Sequence, residues 1–171
     1  VLVSAAPDIL YAEDTDGNGK ADLRKVLFTG FREGNQQHRM NGFVLGLDNW
    51  IYAANGDSGG MIKSTATGKV VNINGRDFRF KVTGEMQTLS NQTQFGLHRD
   101  DWGNWFGNNN PNWLWHIHLP LHYVTRNPYL VVKDTRQMLF NSPDSRRCFP
   151  ISPRMERPNM PGAYGMVTSA N

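Results

Sequence analysis

A repeated strand pattern is the feature that most constrains how this chain can fold. Three segments share a turn followed by an apolar strand that ends in small or polar residues: PDILYAED (7–14), LDNWIYAAN (47–55) and DWGNWFGNNN (101–110). Tyr52 follows Tyr11 by 41 residues, and the Asn-Trp pair at Asn104 follows the pair at Asn49 by 55. Repeats of about 40 to 50 residues built from short strands are typical of β-propeller blades. The pattern therefore predicts an all-β chain, a β-propeller with long irregular loops.

The repeat also suggests where the blades begin and end. The approximate blades are 1–34, 35–90 and 91–165, with the start of another at 166–171. Two alternating runs, 70–73 and 77–82, predict outer strands of the second blade, because apolar and polar residues alternate between Gly-containing turns. Proline-interrupted stretches after Pro111 predict the long loops. A stack of about three to four blades would leave strand edges open. We therefore expect further blades to complete a larger ring, and we expect both ends of the sequence to be truncation points.

Charge and cysteine content exclude several classes of function. The formal net charge is +3, and the twelve Arg and six Lys are scattered along the sequence. The chain therefore lacks the basic patch of a nucleic-acid-binding protein. Cys148 is the one cysteine, so this segment has no internal disulfide, and without a CxxCH motif it attaches no c-type haem. No apolar run reaches the roughly 18 residues of a membrane-spanning helix.

The stretch DTDGNGKAD has the oxygen-ligand spacing of a calcium loop. Side chains at alternate positions and one backbone carbonyl can wrap a hard cation, because the intervening glycines let the chain fold back. The predicted ligands are Asp14, Asp16, Asn18, the carbonyl of Lys20, and Asp22. Lys25 stands where an EF-hand has its bidentate Glu, and the flanking residues read as strands, so a calcium-binding hairpin loop fits better than an EF-hand. The alternative is an Asx-rich turn without metal.

The run HIHLPLH offers a second possible metal site. His116 and His118 would share one face of a strand, and His122 follows closely. Pro120 interrupts the strand, however, and no cysteine or acidic residue lies nearby to complete a ligand set. Surface and packing histidines are the alternative.

His38 stands just ahead of a predicted strand in a segment that resembles a known family. HRMNGFVLGLDNWIYAANGDSGG (38–60) resembles the soluble quinoprotein glucose dehydrogenases and the sorbosone-dehydrogenase-like propellers. The matching positions are His38, Gly46, Asp48, Ile51, Tyr52, Gly56 and Asp57. The resemblance implies a six-bladed propeller in which His38 is the base that removes a hydroxyl proton while hydride passes to pyrroloquinoline quinone (PQQ). Histidine suits this role because it titrates near neutral pH. The alternative is a histidine that is hydrogen-bonded to a neighbouring loop.

The same resemblance assigns the cofactor contacts. Where those dehydrogenases hold the anionic quinone with an Arg-Asn-Pro-x-Gly segment, this chain has QTQFG (92–96). A neutral amide cannot replace a bidentate charge-assisted contact, so Arg39 or Arg99 would have to substitute. The predicted cofactor-binding residues are Arg39, Asp57, Gln92, Gln94 and Arg99.

A closer resemblance covers essentially the whole chain. The stretches VLVSAAPDILYAEDTDGNGKADLRKVLFTGF, GNQQHR, QTQFGLHRDDWGNWFGNNN and VTSA look like the membrane-bound dehydrogenase propellers of planctomycetes. Those proteins often carry a separate haem-binding cytochrome c domain. The resemblance implies a periplasmic or extracellular protein, membrane-associated through other parts, that oxidises a sugar or other alcohol and passes electrons to a cytochrome. The rival prediction is a non-catalytic propeller that binds glycans or a protein partner.

Aromatic and amide side chains around the third repeat predict a substrate site. Tryptophan rings can stack on sugar rings, and the neighbouring Asp and Asn side chains can bind sugar hydroxyls. The predicted substrate-binding residues are Asn41, Asp101, Trp105, Asn108 and Asn109. The alternatives are that the tryptophans pack between blades and that the Asn run forms a turn.

Overall fold

This computed structural model describes residues 1–142 and 144–146. The predictions for Cys148, the VTSA motif and the blade start at 166–171 lie outside these residues, as does the end of the predicted blade 91–165. The described strands are β1 Leu2–Ala5, β2 Asp8–Glu13, β3 Leu23–Phe31, β4 Asn41–Leu45, β5 Ile51–Ala54, β6 Gly60–Ser64, β7 Val70–Asn72, β8 Phe78–Phe80, β9 Met86–Thr88, β10 His98–Arg99, β11 Trp105–Asn109, β12 Asn112–Ile117 and β13 Gln137–Met138. The described helices are one α-helical turn, α1 Leu121–Val124, and two short 3₁₀ helices, Gln36–His38 and Asp144–Arg146.

The described strands form three antiparallel sheets. The first has the order β1-β2-β3-β6-β7, the second β4-β5-β8-β9 and the third β10-β11-β12-β13. The all-β prediction is therefore confirmed, and the apolar strand of each repeated segment forms, as β2, β5 and β11. In the part of the chain that the structure describes, no helix combines the length and apolar character needed to cross a membrane.

The two strands predicted at 70–73 and 77–82 both form, but they do not belong to one sheet. β7 pairs with β6, whereas β8 pairs with β5. β6 pairs with β3 of the first sheet, and β7 forms a hairpin with β6. Both strands therefore extend the first sheet. Residues 35–90 therefore contribute strands to two sheets, a long-range pairing that local alternation does not reveal.

The second sheet lies between two hydrophobic clusters. On one face, Phe78 and Phe80 pack against residues of the first sheet, and the rings of Phe80 and Phe28 meet edge to face with centroids 5.4 Å apart. On the other face, Tyr52 packs with Trp115 of the third sheet. Because side chains alternate across a strand, Arg79 lies on the opposite side of the sheet from its two Phe neighbours. A buried arginine therefore stands at the boundary of the second and third sheets.

Candidate functional site

His38 ends a 3₁₀ helix whose backbone is tied to a second loop. The side chain of Asn35 caps this helix by accepting the N–H of Gln37 at 3.0 Å. The carbonyl of His38 accepts the N–H of Ser58 at 3.1 Å. Gly56 has φ +73°, and a Cβ there would lie 2.0 Å from the carbonyl oxygen of Arg39. Glycine at this position therefore lets the two loops pack against each other.

A third loop, which contains Gln92 and Thr93, contacts the loop of Gly56 and Asp57. Asp57 accepts a hydrogen bond from the Nε2 of Gln92, and the carbonyl of Thr93 accepts the N–H of Gly56 at 2.9 Å. The structure thus brings together three predicted site residues, His38, Asp57 and Gln92, on adjacent loops. We call residues 36–39, 56–58 and 92–94 the His38 loop cluster.

A buried carboxyl beneath this cluster was missed by the sequence reasoning. Asp77 is fully buried and accepts the N–H groups of Asn55 at 2.9 Å and Thr93 at 2.8 Å. It also accepts Nδ2 of Asn91 at 2.7 Å. Burial raises the pKa of Asp77 to about 7, although the hydrogen bonds from Asn55 and Thr93 oppose the shift. In the sequence, Asp77 appears only as the polar residue before an apolar strand.

The predicted cofactor-binding cations are directed to backbone carbonyls. Nε of Arg39 donates to the carbonyl of Glu33 at 2.8 Å. Nε of Arg99 donates to the carbonyl of Leu45 at 2.9 Å, and its Nη1 donates to the carbonyl of Asp100 at 3.1 Å. Gln94 is buried, and its Oε1 accepts the N–H of Asn110 at 3.0 Å.

These contacts bear on whether the His38 loop cluster suits an anionic quinone. Such a cofactor needs cationic or donor groups free to reach its carboxylates. The cluster instead presents the Asp57 carboxylate above the buried Asp77 carboxyl, and Gln92 donates to Asp57. PQQ therefore stays a prediction from the resemblance.

The predicted calcium loop joins β2 to β3 and is closed by its own hydrogen bonds. Asp14 accepts backbone N–H groups of Gly17 at 2.8 Å and Gly19 at 2.7 Å, and Oδ2 of Asp16 accepts Nδ2 of Asn18 at 2.8 Å. Oδ1 of Asn18 accepts the N–H of Lys20, and Asp22 accepts the N–H and hydroxyl of Thr15. The backbone N–H groups hold the pKa of Asp14 below its ordinary value. Calcium stays a prediction from the ligand spacing.

The histidine run does not assemble into a ligand set. The His116 ring stacks on Phe106 with centroids 5.2 Å apart, and it lies 6.3 Å from the His118 ring. His122 lies on α1. Within residues 1–142 and 144–146, no three or more His, Cys, Asp or Glu side chains are grouped so that they could hold a metal ion.

Most of the predicted substrate-binding residues have structural contacts. The amide of Asn41 joins two loops, donating to the carbonyls of Arg39 and Gln94 and accepting the N–H of Gly96. Asn108 is buried and its carbonyl accepts the N–H of Gln94, while Oδ1 of Asn109 accepts two donors of Asn112. Asp101 lies exposed in the turn before β11. Trp105 alone among these five lines the cavity described next.

The cavity lies between the second and third sheets and is rich in aromatic side chains. Its volume is about 450 Å³. We call it the aromatic cleft; its ring-bearing walls are Trp50, Tyr52, Trp102, Trp105, His122 and Tyr123. Trp105 stacks on Tyr52 with ring centroids 3.9 Å apart. Trp102 is 83% exposed, whereas Trp115 is fully buried, so the packing interpretation of the tryptophans is right for Trp115 and wrong for Trp102.

The charges on the cleft wall are paired. Nη1 of Arg79 donates to Asp48 at 2.7 Å and to the hydroxyl of Tyr52 at 3.0 Å, and its guanidinium lies 4.6 Å from the centre of the Trp50 ring. Burial and the nearby Arg79 lower the pKa of His122, which favours the neutral form of that ring. The cleft therefore presents aromatic faces and hydrogen-bonding groups with little net charge. Arg79 was also missed; its signal was a charge between two Phe residues.

Comparison with known proteins gives one match. A family model described as a domain of unknown function, DUF7133, matches residues 1–171. The comparisons with curated proteins and with solved structures gave no match.

Proposed function

The chain belongs to the DUF7133 family, and we propose that it is a β-propeller segment that binds a neutral glycan in the aromatic cleft. The propeller part of the proposal is supported by the strand repeat and by three antiparallel sheets of four or five strands each. The first strands of the second and third sheets, β4 and β10, also contact each other, as innermost strands of neighbouring blades would.

The observation that carries the binding proposal is a set of aromatic rings around a cavity of about 450 Å³. Sugar rings present apolar C–H faces that pack on aromatic faces, and they present hydroxyls that need donors and acceptors. Asp48, Arg79 and the Tyr52 hydroxyl supply such groups on one wall. The volume is within the range of about 300–1,000 Å³ that is usual for small-ligand sites, which suits one or two sugar units.

The exposure of Trp102 adds support for this ligand class. A tryptophan side chain that is 83% exposed gives up the burial that normally stabilises this residue type. At the mouth of a cavity it can recover that burial against a ligand. The near-neutral wall favours an uncharged ligand, because Arg79 already pairs with Asp48 at 2.7 Å.

Glycan binding by the full-length protein, measured by array screening and calorimetry, tests the proposal. Trp102→Ala is expected to weaken binding about tenfold or more, because lost stacking and burial of about 1.4 kcal/mol correspond to that factor. Tyr129→Ala is the matched control, since Tyr129 is 92% exposed and outside the cleft lining. Absence of glycan binding, or equal weakening by both substitutions, would contradict the proposal.

A second candidate is oxidation of a sugar or other alcohol with His38 as base, PQQ as oxidant and a cytochrome c domain as electron acceptor. The convergence of His38, Asp57 and Gln92 favours it, because histidine can take a hydroxyl proton beside a polar loop site. A periplasmic or extracellular location follows from the same resemblance. Dye-linked oxidation by the full-length protein, with PQQ and calcium added, tests it. Turnover lost in His38→Ala would support this candidate; no turnover with any alcohol would refute it and leave glycan binding untouched.

A further inference from the structure

Asn91 lines the aromatic cleft and has a buried amide oxygen without a partner in the described part of the chain. Asn91 follows β9, is 5% exposed and belongs to the cleft lining. Its Oδ1 is buried, and no described atom donates a hydrogen bond to it. An unpaired buried polar atom is destabilising, and native structures rarely contain one without an identifiable reason.

The orientation of this amide is set by Asp77. The Nδ2 of Asn91 donates to Oδ2 of Asp77 at 2.7 Å and to Oγ1 of Thr93 at 3.1 Å. When Asp77 is ionised, its carboxylate can only accept hydrogen bonds, so the amide has to turn its nitrogen towards Asp77. Both oxygens of Asp77 are occupied by N–H groups, since Oδ1 accepts from Asn55 and Thr93. The amide oxygen is thereby left as an acceptor.

An acceptor at the edge of a cavity selects ligands that carry a donor. A sugar hydroxyl can supply one, whereas an ether or deoxy position cannot. A site that is built to bind a hydroxyl discriminates strongly against the analogue that lacks it, because the buried polar group is then left unpaired. We propose that Oδ1 of Asn91 accepts a hydrogen bond from a hydroxyl of the bound sugar, and that Asp77 is the positioning residue that keeps this oxygen available. This inference rests on the proposed glycan-binding function.

Asp77→Asn should change which group Asn91 presents to the cleft. The new amide keeps an oxygen for the N–H groups of Asn55 and Thr93, but it presents an NH₂ group where Asp77 presented Oδ2 to Asn91. The Asn91 amide then has to turn over, so that its oxygen pairs with the new NH₂ group. The cleft consequently loses an acceptor and gains a donor, with little change in shape. If Asp77 had only a structural role, Asp77→Asn would not change which sugar hydroxyl is required for binding.

Calorimetry with methyl glycosides of glucose, galactose and mannose, and with their monodeoxy analogues, tests this at pH 8.5. Wild type is expected to lose at least about tenfold in affinity for one monodeoxy analogue of the glycoside it binds, which is about 1.4 kcal/mol. Asn91→Leu is expected to weaken the parent glycoside to the affinity of that analogue. Asp77→Asn is expected to abolish the preference for the parent glycoside. Tyr129→Ala, at an exposed residue outside the cleft lining, is the control and should keep both the affinity and the preference.

The outcomes separate this inference from the function on which it rests. If no glycoside or glycan binds, both the glycan-binding function and the role of Asn91 are refuted. If glycosides bind and Trp102→Ala weakens them, but every monodeoxy analogue binds as tightly as its parent, glycan binding stands and the role of Asn91 is wrong. If Asn91→Leu does not fold, the deoxy series on wild type and on Asp77→Asn still decides the matter. Retention of the wild-type preference in Asp77→Asn would overturn the positioning role.

Discussion

The buried carboxyl of Asp77 should make folding stability depend on pH in an unusual direction. Most carboxylates in proteins have lowered pKa values and lose stabilising contacts in acid. Asp77 is fully buried, and its pKa is raised to about 7. The ordinary pKa of an unfolded aspartate is about 3.9. Between about pH 4 and pH 7 the folded state therefore holds a proton that the unfolded state has released.

The sign and size of the effect follow from that difference. The contribution of Asp77 to stability is fully present below about pH 4 and is lost as pH rises through about 7. A difference of about three pKa units corresponds to about 4 kcal/mol over the whole window. Between pH 5 and pH 8, the contribution to the free energy of unfolding should fall by about 3 kcal/mol.

Urea unfolding of wild type and Asp77→Asn at several pH values between 5 and 8 measures this term directly. The substituted amide cannot ionise, so wild type should lose stability relative to the variant by about 3 kcal/mol across that range. Asp101→Asn, at an exposed aspartate, is the control and should run parallel to wild type. A constant difference between wild type and Asp77→Asn, or one that grows in favour of wild type as pH rises, would refute the assignment of a buried, high-pKa carboxyl.

Three other changes test the fold and the calcium loop. Gly56→Ala should destabilise the protein by at least about 2 kcal/mol in urea unfolding, because its Cβ would meet the carbonyl of Arg39 at 2.0 Å; an unchanged midpoint would mean that the loops do not pack this way. Phe80→Ala should cost about 3–5 kcal/mol, since Phe80 is fully buried, and a loss below about 1 kcal/mol would contradict the packing of the first two sheets. Millimolar calcium should raise the melting temperature of wild type, whereas magnesium should not, and calcium should not raise the melting temperature of Asp16→Ala. If calcium does not raise the melting temperature of wild type, the loop is an Asx-rich turn without metal.

The strands were predictable because their signals are local. The repeat located β2, β5 and β11, and the alternation around Phe78 and Phe80 located β8. The partner of each strand was not predictable in the same way. β7 joins the first sheet because β6 pairs with β3 across about thirty residues of chain, and such a pairing depends on which apolar faces meet.

Site residues were predictable only where they lie close together in the sequence or belong to a recognisable motif. His38 and Asp57 lie within one quoted segment, and the structure places their loops in contact. Trp102 and Trp115 look alike in the sequence, but one is exposed and the other is in the core. Asp77 and Asn91 acquire their roles from hydrogen bonds between residues that are 14 and 16 positions apart in the chain. No local pattern encodes those contacts.

The indole N–H signals of the tryptophans, followed by NMR during glycan titration of the full-length protein, test the central claim most directly. Trp50, Trp102 and Trp105 line the aromatic cleft. Trp113 instead faces Phe140 with ring centroids 6.0 Å apart, outside the cleft lining. Binding in the cleft predicts that the first three signals move together along one saturation curve while the Trp113 signal stays in place. Saturable movement of the Trp113 signal with the cleft signals unchanged, or no movement with any glycan, would contradict it.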